Sequence, residues 1–338
     1  AVLIATALAV SVTGCVGNAT SSSDSTSASS VAESSDTSTQ TSADASSEDE
    51  SKDESSQEES KDLEANYTKY TLDGDLTQHM IDMSRLNEGN KVRLANVIKK
   101  LKNGEEVTVG FIGGSITQGT SAGNDLCYAK LTADWLQQTY SNAKINYVNA
   151  GIGATGSYIG VHRVENDLLS KKPDLVFVEF SVNDTTENTE RNKKSYDGLL
   201  RTIWKSSTNP AIITIATTQE DGTSFQDQHA EIVKHYDLPM ISYRNTILDT
   251  IKHGDIVWKD ISDDNIHPNV PGHKIVSQLL QAYISDVDKD VDNISGSESD
   301  FTTPATDAPI ENGSLIQPSS ATDVTATGAC LLYTSDAA

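Results

Sequence analysis

Three residue types that together catalyse acyl transfer stand at loop-like positions of this 338-residue chain: Ser115, Asp264 and His267. A serine hydroxyl becomes an effective nucleophile when an imidazole accepts its proton, and a carboxylate fixes the tautomer of that imidazole and stabilises its cation. Asp264 and His267 are three residues apart in a short polar segment, so their side chains can face the same way. Asp263 is the alternative partner for the imidazole. The pattern predicts a Ser–His–Asp triad.

Acyl transfer also needs hydrogen-bond donors that stabilise the charge developing on the carbonyl oxygen. The candidate donors are the backbone N–H of Ser115, a backbone N–H of the Gly153–Ala154 turn, and the side-chain amide of Asn183. Each such donor typically lowers the barrier by about 3 kcal/mol. We therefore expect these groups to form an oxyanion hole beside the nucleophile.

The elements that must position these residues alternate between short apolar runs and amphipathic stretches. The strand-like runs are residues 107–112, 144–149, 174–180, 211–217 and 239–243. The helical stretches are residues 93–101, 125–140, 158–171, 190–206, 224–236, 244–253 and 270–286. Repeated strand–helix–strand order predicts a parallel sheet with helices on both faces. Functional residues of such folds lie at the carboxyl ends of the strands, where the polar clusters of this chain occur.

Four blocks between about residues 93 and 284 resemble the GDSL-type esterases of the SGNH hydrolase superfamily. The family's G-D-S-L block matches Gly113–Ile116, with Gly in place of Asp and Ile in place of Leu. Its G-x-N-D block matches residues 181–184, with Ser in place of Gly. The final D-x-x-H block matches residues 264–267 without departure.

The remaining block of the family supplies an oxyanion glycine. By spacing from Asn149, this position falls on Ala154, which changes the side chain but keeps the N–H, and Gly153 is the alternative donor. The resemblance implies that Ser115 is the nucleophile and that Asn183 shares the oxyanion role. It also implies a flavodoxin-like three-layer α/β/α sandwich with a five-stranded parallel sheet, the SGNH hydrolase fold, and no cofactor.

Many secreted bacterial relatives with a G-G-S-I-T block resemble carbohydrate esterases. The resemblance therefore implies a serine carboxylic-ester hydrolase that removes small acyl groups, above all O-acetyl, from a polysaccharide or oligosaccharide. Two other functions stay open. The departures from the family's blocks fit a non-catalytic glycan-binding protein on a degenerate hydrolase scaffold. The same serine chemistry would also serve a sugar O-acyltransferase.

A dinucleotide site is a further alternative. Residues 151–156 satisfy the G-x-G-x-x-G pattern, and Glu179 ends the next predicted strand, as the acidic partner of that pattern would. The pattern normally follows the first strand of a sheet, and this interpretation leaves the predicted triad without a role. We therefore rank it below acyl transfer.

The two ends of the chain differ in composition from the predicted domain. An apolar stretch runs into Cys15 and resembles the end of a bacterial lipoprotein signal peptide with Cys15 as the lipidated residue, although an ordinary secretory signal is the alternative. The expected divisions are a signal remnant at 1–15, a disordered acidic spacer at 16–62, the esterase-like domain at 63–286, a disordered linker at 287–329 and a non-native tail at 330–338. We expect an extracytoplasmic monomer, anchored by lipid to the cell membrane.

The net charge of −24 is concentrated in these ends. Residues 16–62 contain twelve acidic residues and two lysines, and residues 285–338 contain ten acidic residues and one lysine. The domain has no basic patch that would displace counterions from phosphates, so nucleic-acid partners are not expected. The sequence contains no run of 18 apolar residues, so a membrane-spanning helix is not expected.

The remaining candidate ligands give weaker signals. The other histidines are His79, His162, His229, His235, His253 and His273. They show no partners at ligand spacing, so we interpret them as surface or packing residues and expect no metal. Cys127 is the one cysteine of the predicted domain, which argues against a disulfide or a cysteine metal site. Trp258 precedes the Asp264 segment and is a candidate for stacking under a sugar, with a core position as the alternative.

Overall fold

The structure is a computed structural model, and it describes residues 67–185, 188–311 and 313. The predicted lipid site at Cys15, the spacer at 16–62, the linker from residue 314 onward and the tail at 330–338 lie outside the described residues. No helix within the described ranges is both long and apolar enough to cross a membrane.

A six-stranded sheet forms the middle layer of the domain. Its strands are β1 (Arg85–Asn87), β2 (Glu106–Gly113), β3 (Lys144–Gly151), β4 (Leu175–Glu179), β5 (Ala211–Ala216) and β6 (Met240–Ser242). The spatial order is β1-β6-β5-β4-β2-β3, and the strands from β2 to β6 pair in parallel. The five predicted parallel strands are thus confirmed, and one strand is added to them.

The added strand, β1, pairs antiparallel with β6 at the edge of the sheet. It consists of three half-buried residues, which are too few for a period-two pattern to be visible in the sequence. Helix α1 (Gln78–Ser84) precedes it and also lies outside the predicted elements. The Thr77 hydroxyl caps this helix by accepting the Met80 N–H at 3.2 Å.

Helices cover both faces of the sheet, as the three-layer prediction requires. After α1 they are α2 (Val92–Lys102), α3 (Ser115–Gln118), α4 (Tyr128–Thr139), α5 (Ser157–Asp167), α6 (Thr189–Trp204), α7 (Gln226–His235), α8 (Tyr243–Lys252), α9 (Trp258–Ile261) and α10 (Val270–Lys289). Helices α1, α2, α4, α8 and α10 contribute to the apolar core on one face, and α5, α6 and α7 to the core on the other.

Strand β4 shows how the sequence divides its side chains between these two cores. Leu175 and Phe177 lie in the apolar cluster on one face, whereas Val176 and Val178 lie in the cluster on the other. Successive side chains of a strand point to opposite faces, so one continuous apolar run serves both layers. Each such fully buried side chain contributes about 1.5–3 kcal/mol to folding. Packing from both sides therefore fixes the carboxyl end of β4, where the site begins.

The predicted linker at 287–329 is corrected for its described part. Helix α10 continues to residue 289, and the segment 301–310 lies against α6 and α7. The ring of Phe301 is 6% exposed and stacks on Trp204 and Tyr236, with centroid distances of 4.5 and 3.9 Å. A composition rich in Ser, Thr and Asp conceals this single aromatic anchor.

Candidate active site

Ser115 begins α3 directly after β2, at the carboxyl edge of the sheet. Gly113 and Gly114 form the turn between them, and the packing leaves no room for larger side chains. A Cβ on Gly114 would lie 1.9 Å from Asn183 Oδ1, and one on Gly113 would lie 2.0 Å from Thr117 Oγ1. The two glycines therefore allow the nucleophile turn and the Asn183 amide to approach each other closely.

His267 connects Ser115 to Asp264 through both nitrogens of its ring. Its Nδ1–H donates to Asp264 Oδ2 at 2.8 Å, and its Nε2 lies 2.9 Å from Ser115 Oγ. Because the carboxylate can only accept, Nδ1 carries the proton and Nε2 is left to accept from the hydroxyl. The structure thus brings together the three side chains grouped by sequence, although Ser115 and His267 are 152 residues apart.

Asp264 is kept ionised by hydrogen bonds from its own loop. Its Oδ1 accepts the backbone N–H groups of Ile266 at 2.7 Å and His267 at 2.6 Å. Desolvation acts to raise the pKa of Asp264, but the bonds from the His267 side chain and from the two N–H groups lower this pKa to about 2. The alternative partner, Asp263, contacts Lys259 Nζ through its backbone carbonyl at 3.1 Å. The carboxylate that meets His267 is therefore that of Asp264.

Trp258 and Ser262 fasten the loop that carries the acid and the imidazole. The Trp258 indole N–H donates to the Asp264 carbonyl oxygen at 2.6 Å. The Ser262 hydroxyl lies 2.8 Å from the same oxygen and 2.6 Å from the His267 carbonyl oxygen. Trp258 is 6% exposed, so its prediction as a sugar-stacking residue is corrected. Its ring packs in the core, and its N–H positions the loop.

The turn after β3, residues 151–156, lies beside the nucleophile, and we call it the β3 turn. A Cβ on Gly153 would lie 3.9 Å from Ser115 Cβ, so a side chain at this position would contact the serine. Ala154 has a φ of 57°, a left-handed conformation that favours glycine. The Asn149 amide donates to the Thr117 carbonyl at 2.8 Å and so ties the end of β3 to α3.

Two of the predicted oxyanion groups lie next to the nucleophile turn. The Asn183 side-chain oxygen approaches Gly114, and the Gly153 position of the β3 turn approaches the Ser115 Cβ. The Ser115 N–H belongs to the first turn of α3, whose N–H groups have no partners inside the helix. All three groups are at the same sheet edge as the His267 ring.

A buried arginine that sequence reasoning missed links the two turns. Arg163 on α5 is 2% exposed, and its guanidinium donates to the carbonyl oxygens of Gly113 at 2.9 Å and Ala150 at 2.6 Å. These carbonyls belong to the ends of β2 and β3. The Asp167 carboxylate, 3.1 Å from Arg163 Nη1, balances the buried charge. An arginine on an amphipathic helix is normally predicted to be exposed, so the local sequence does not indicate this buried contact.

A buried hydrogen-bonded pair, Asp184 and His229, supports the Asn183 turn. Asp184 Oδ1 accepts the Ser157 N–H at 2.8 Å, and its Oδ2 lies 2.9 Å from His229 Nε2. Both side chains of the pair are buried, and Tyr196 stacks on His229 with a centroid distance of 3.6 Å. His229 is thus a packing residue that also fixes the carboxylate next to Asn183.

His273 is a further buried imidazole, on α10. It is fully buried, and its Nδ1 accepts the Tyr128 N–H at 3.1 Å. Desolvation lowers the pKa of His273 to about 4, with a smaller contribution in the same direction from His267. This imidazole therefore stays neutral at the pH values where ordinary histidines titrate.

The structure argues against a dinucleotide site in the β3 turn. Strand β3 is an edge strand, whereas the dinucleotide pattern belongs to the first strand of a doubly wound sheet. A Cβ on Gly151 would lie 2.3 Å from the Gln118 backbone nitrogen, and one on Gly156 would lie 2.5 Å from Asp184 Oδ1. These glycines make room for the chain's own loops. Glu179, the candidate ribose ligand, is fully buried.

Metal-ligating side chains also meet outside this site. Within the described ranges, His79, Asp249 and His253 bring their ligand atoms within 4.8 Å of one another. This finding corrects the interpretation that the histidines outside the triad have no partners at ligand spacing.

Residues 111–275 match the sequence profile of the GDSL-like lipase/acylhydrolase family, and this span contains the nucleophile turn, the β3 turn and the His267 loop. The domain belongs to this family. Membership in the GDSL-like family agrees with the resemblance of the four blocks and with the three-layer fold. No protein with a curated description matches the chain.

Two solved structures resemble this GDSL-like domain. One is a two-domain esterase active on acetylated mannans, and the other is such an esterase co-crystallised with mannopentaose. Each is 38% identical to this chain, and each match covers 67% of this chain, with TM-scores of 0.64 and 0.62 respectively. The chain spans 61% and 60% of the length of those proteins.

Proposed function

We propose that this protein is an extracellular serine esterase that removes O-acetyl groups from a carbohydrate. The observation that carries the proposal is the hydrogen-bonded series Ser115–His267–Asp264, at the sheet edge that also holds Asn183 and the β3 turn. Membership in the GDSL-like lipase/acylhydrolase family supports the reaction class. Similarity to an esterase active on acetylated mannans supports a carbohydrate ester as the substrate.

In the first half of the reaction, Ser115 Oγ attacks the carbonyl carbon of the acetyl ester while its proton moves to His267 Nε2. The electron pair of the C=O bond moves to the oxygen, and the charge is stabilised by the Ser115 N–H, the Ala154 N–H and the Asn183 amide. Gly153 is the alternative backbone donor in the β3 turn. Preorganised donors of this kind each contribute about 10²–10³-fold in kcat.

The tetrahedral intermediate then collapses, and the bond between the carbonyl carbon and the sugar oxygen breaks. His267 gives the proton to the leaving sugar hydroxyl, so the sugar departs neutral and Ser115 carries the acetyl group. A water molecule repeats the attack with His267 as the base, and acetate leaves as the serine regains its proton. Asp264 stays ionised and stabilises the imidazolium in both halves.

A surface depression beside the His267 loop offers a place for the sugar. It is lined by Gln219, Glu220, Asp221 and Asn265. The Glu220 N–H donates to the Asn265 carbonyl at 2.9 Å. This bond connects the depression to the loop that carries Asp264 and His267. Carboxylates and amides accept hydrogen bonds from sugar hydroxyls, so the lining fits a carbohydrate better than a lipid chain.

We propose in addition that the protein is anchored by lipid at Cys15 and displayed outside the cytoplasm. The apolar stretch before Cys15 and the acidic, Ser-rich residues 16–62 support this location. In a bacterial host that processes lipoproteins, Cys15→Ala is expected to move the protein from the membrane fraction to the soluble exported fraction. Retention of the variant in the membrane fraction would contradict the anchor.

The activity is tested by acetate release from acetylated mannan, xylan and pectin with the full chain, and Ser115→Ala is the control. The expected result is release that depends on Ser115, with the highest kcat/KM on acetylated mannan. Binding of these glycans without release of acetate would favour the non-catalytic interpretation. Acetyl groups recovered on added acceptor glycans would favour the transferase.

A further inference from the structure

Two histidines and one aspartate form a compact group at the junction of α1 and α8, and we call it the His79 cluster (His79, Asp249, His253). His79 Nε2 lies 2.6 Å from Asp249 Oδ2, and His253 Nδ1 lies 3.2 Å from the same oxygen. Asp249 lies in the last turn of α8 and His253 is the capping residue that follows the helix, four positions later, a spacing that presents two ligands to one ion. His79 enters from α1, so the cluster joins two separate elements.

The surroundings of the cluster hold both imidazole rings in place. The ring of Tyr67 stacks on His253 with a centroid distance of 4.1 Å and meets His79 edge-on at 5.4 Å. His79 is 4% exposed. The rings are therefore oriented before any ligand arrives.

The donor set selects a class of ligand. Two imidazole nitrogens and one carboxylate oxygen are the three-ligand set of many zinc sites, whereas calcium and magnesium prefer oxygens throughout. Donors held tetrahedrally at about 2.1 Å from one zinc ion lie roughly 3.4 Å from one another. The histidine–aspartate separations of 2.6 and 3.2 Å need to open by less than about 1 Å to reach this geometry, and the two imidazole nitrogens lie within 4.8 Å of each other.

We propose that the His79 cluster binds one divalent transition-metal ion of the zinc class and thereby clamps the segment around α1 to α8. Helix α8 starts at the carboxyl end of β6, and its ten residues span about 15 Å. Asp249 and His253 lie at its far end, away from the edge that carries Ser115. The ion would bind the folded chain and stabilise it, and it would take no part in the acyl transfer described above.

The test uses the full chain without a histidine tag, stripped with EDTA and titrated with ZnCl2 by calorimetry. One ion is expected to bind per chain. Zinc at about 100-fold above its Kd is expected to raise Tm by about 5–10 °C, and EDTA to reverse the rise. Both effects are expected to disappear in His253→Gln and in Asp249→Asn, which are checked for native circular dichroism.

The matched control is His235→Gln, because His235 is an exposed histidine on α7 outside the cluster. This variant is expected to keep the stoichiometry and the Tm rise of the parent. Absence of zinc binding by the parent overturns the proposal. Binding that survives in His253→Gln with unchanged Kd also overturns it, since the ion would then be held elsewhere. Neither readout depends on esterase activity.

Discussion

Ser115 and its neighbouring turns are held by buried side chains from other parts of the chain, whereas the loop from Asp264 to His267 is held by groups close to it in sequence. On the nucleophile side, buried Arg163 binds carbonyls at the ends of β2 and β3, and buried Asp184, paired with His229, binds the N–H at the start of α5. On the base side, the loop binds itself and its nearest neighbours.

This difference predicts that variants on the two sides will affect stability and rate differently. A buried polar side chain on the nucleophile side supports both the fold and the geometry of the turns, so its loss should lower stability and rate together. The base loop is half-exposed and contributes little to the core, so changes there should lower the rate and leave stability nearly unchanged.

Ser115→Ala removes only the attacking hydroxyl, and kcat/KM on p-nitrophenyl acetate is expected to fall about 10³-fold or more with Tm unchanged. Ser170→Ala is the matched control, because Ser170 is exposed and its hydroxyl donates to the Asn166 carbonyl, four residues earlier in the chain. The control should keep parental activity. Full activity in Ser115→Ala would remove the nucleophile from the account.

Asn183→Ala deletes one oxyanion donor, so kcat is expected to fall about 10²–10³-fold while KM changes little. Asn166→Ala, which alters an exposed asparagine, is the control and should change neither constant. Steady-state kinetics on a soluble acetyl ester measure both values. A raised KM with an unchanged kcat would instead assign Asn183 to ground-state binding.

The pH dependence isolates the base side. A protonated imidazole cannot accept the Ser115 proton, so kcat/KM is expected to fall about tenfold per pH unit once the base is protonated. The pKa of Asp264 is lowered to about 2 and that of His273 to about 4, so neither group accounts for a fall observed above pH 5. A flat profile from pH 4 to 8 would contradict the role of His267.

Arg163→Lys tests the link between the two turns of the nucleophile side. A lysine cannot bind the Gly113 and Ala150 carbonyls with a planar fork, so kcat is expected to fall about tenfold and Tm to fall as well. Arg93→Lys is the control, because Arg93 is also buried but binds the carbonyls of Trp204 and Pro210.

The control is expected to lower Tm and to leave kcat unchanged when both variants are assayed well below Tm. An equal loss of kcat in Arg93→Lys would show that Arg163 acts through stability alone. Unchanged kcat in Arg163→Lys would show that the geometry of the two turns does not depend on the guanidinium of Arg163.

Ala154→Gly has the smallest expected effect. The left-handed φ of 57° costs an alanine about 1–2 kcal/mol, and the greater freedom of glycine in the unfolded chain offsets about half of that. The free energy of unfolding should rise by about 0.5–1 kcal/mol, and kcat should stay within about twofold because the N–H remains. Ala122→Gly, whose φ is not positive, should lose stability instead. A less stable Ala154→Gly would contradict the strain argument.

The sequence predicts the base side and the central strands well because their signals are local. Asp264 and His267 lie three residues apart, and the apolar runs of β2, β4 and β5 mark strands buried on both faces. The order of the blocks along these strands then places Ser115 and Asn183 at one edge.

The support of the nucleophile side escapes such reasoning because it depends on contacts between distant residues. Arg163 binds carbonyls that are 13 and 50 residues away, and His229 meets a carboxylate 45 residues away. The sequence alone does not distinguish a buried charged residue on a helix from an exposed one. Strand β1 and the segment anchored by Phe301 were hidden for a related reason, since each depends on few residues and on tertiary partners.

Covalent labelling with a fluorophosphonate, followed by peptide mass spectrometry, tests most directly whether the hydroxyl of Ser115 is activated by His267. Activation of Ser115 by His267 predicts one modified residue, Ser115, and labelling that slows by about 10²-fold or more in His267→Ala. Labelling at another residue, or labelling of Ser115 at the parental rate in His267→Ala, would contradict the account.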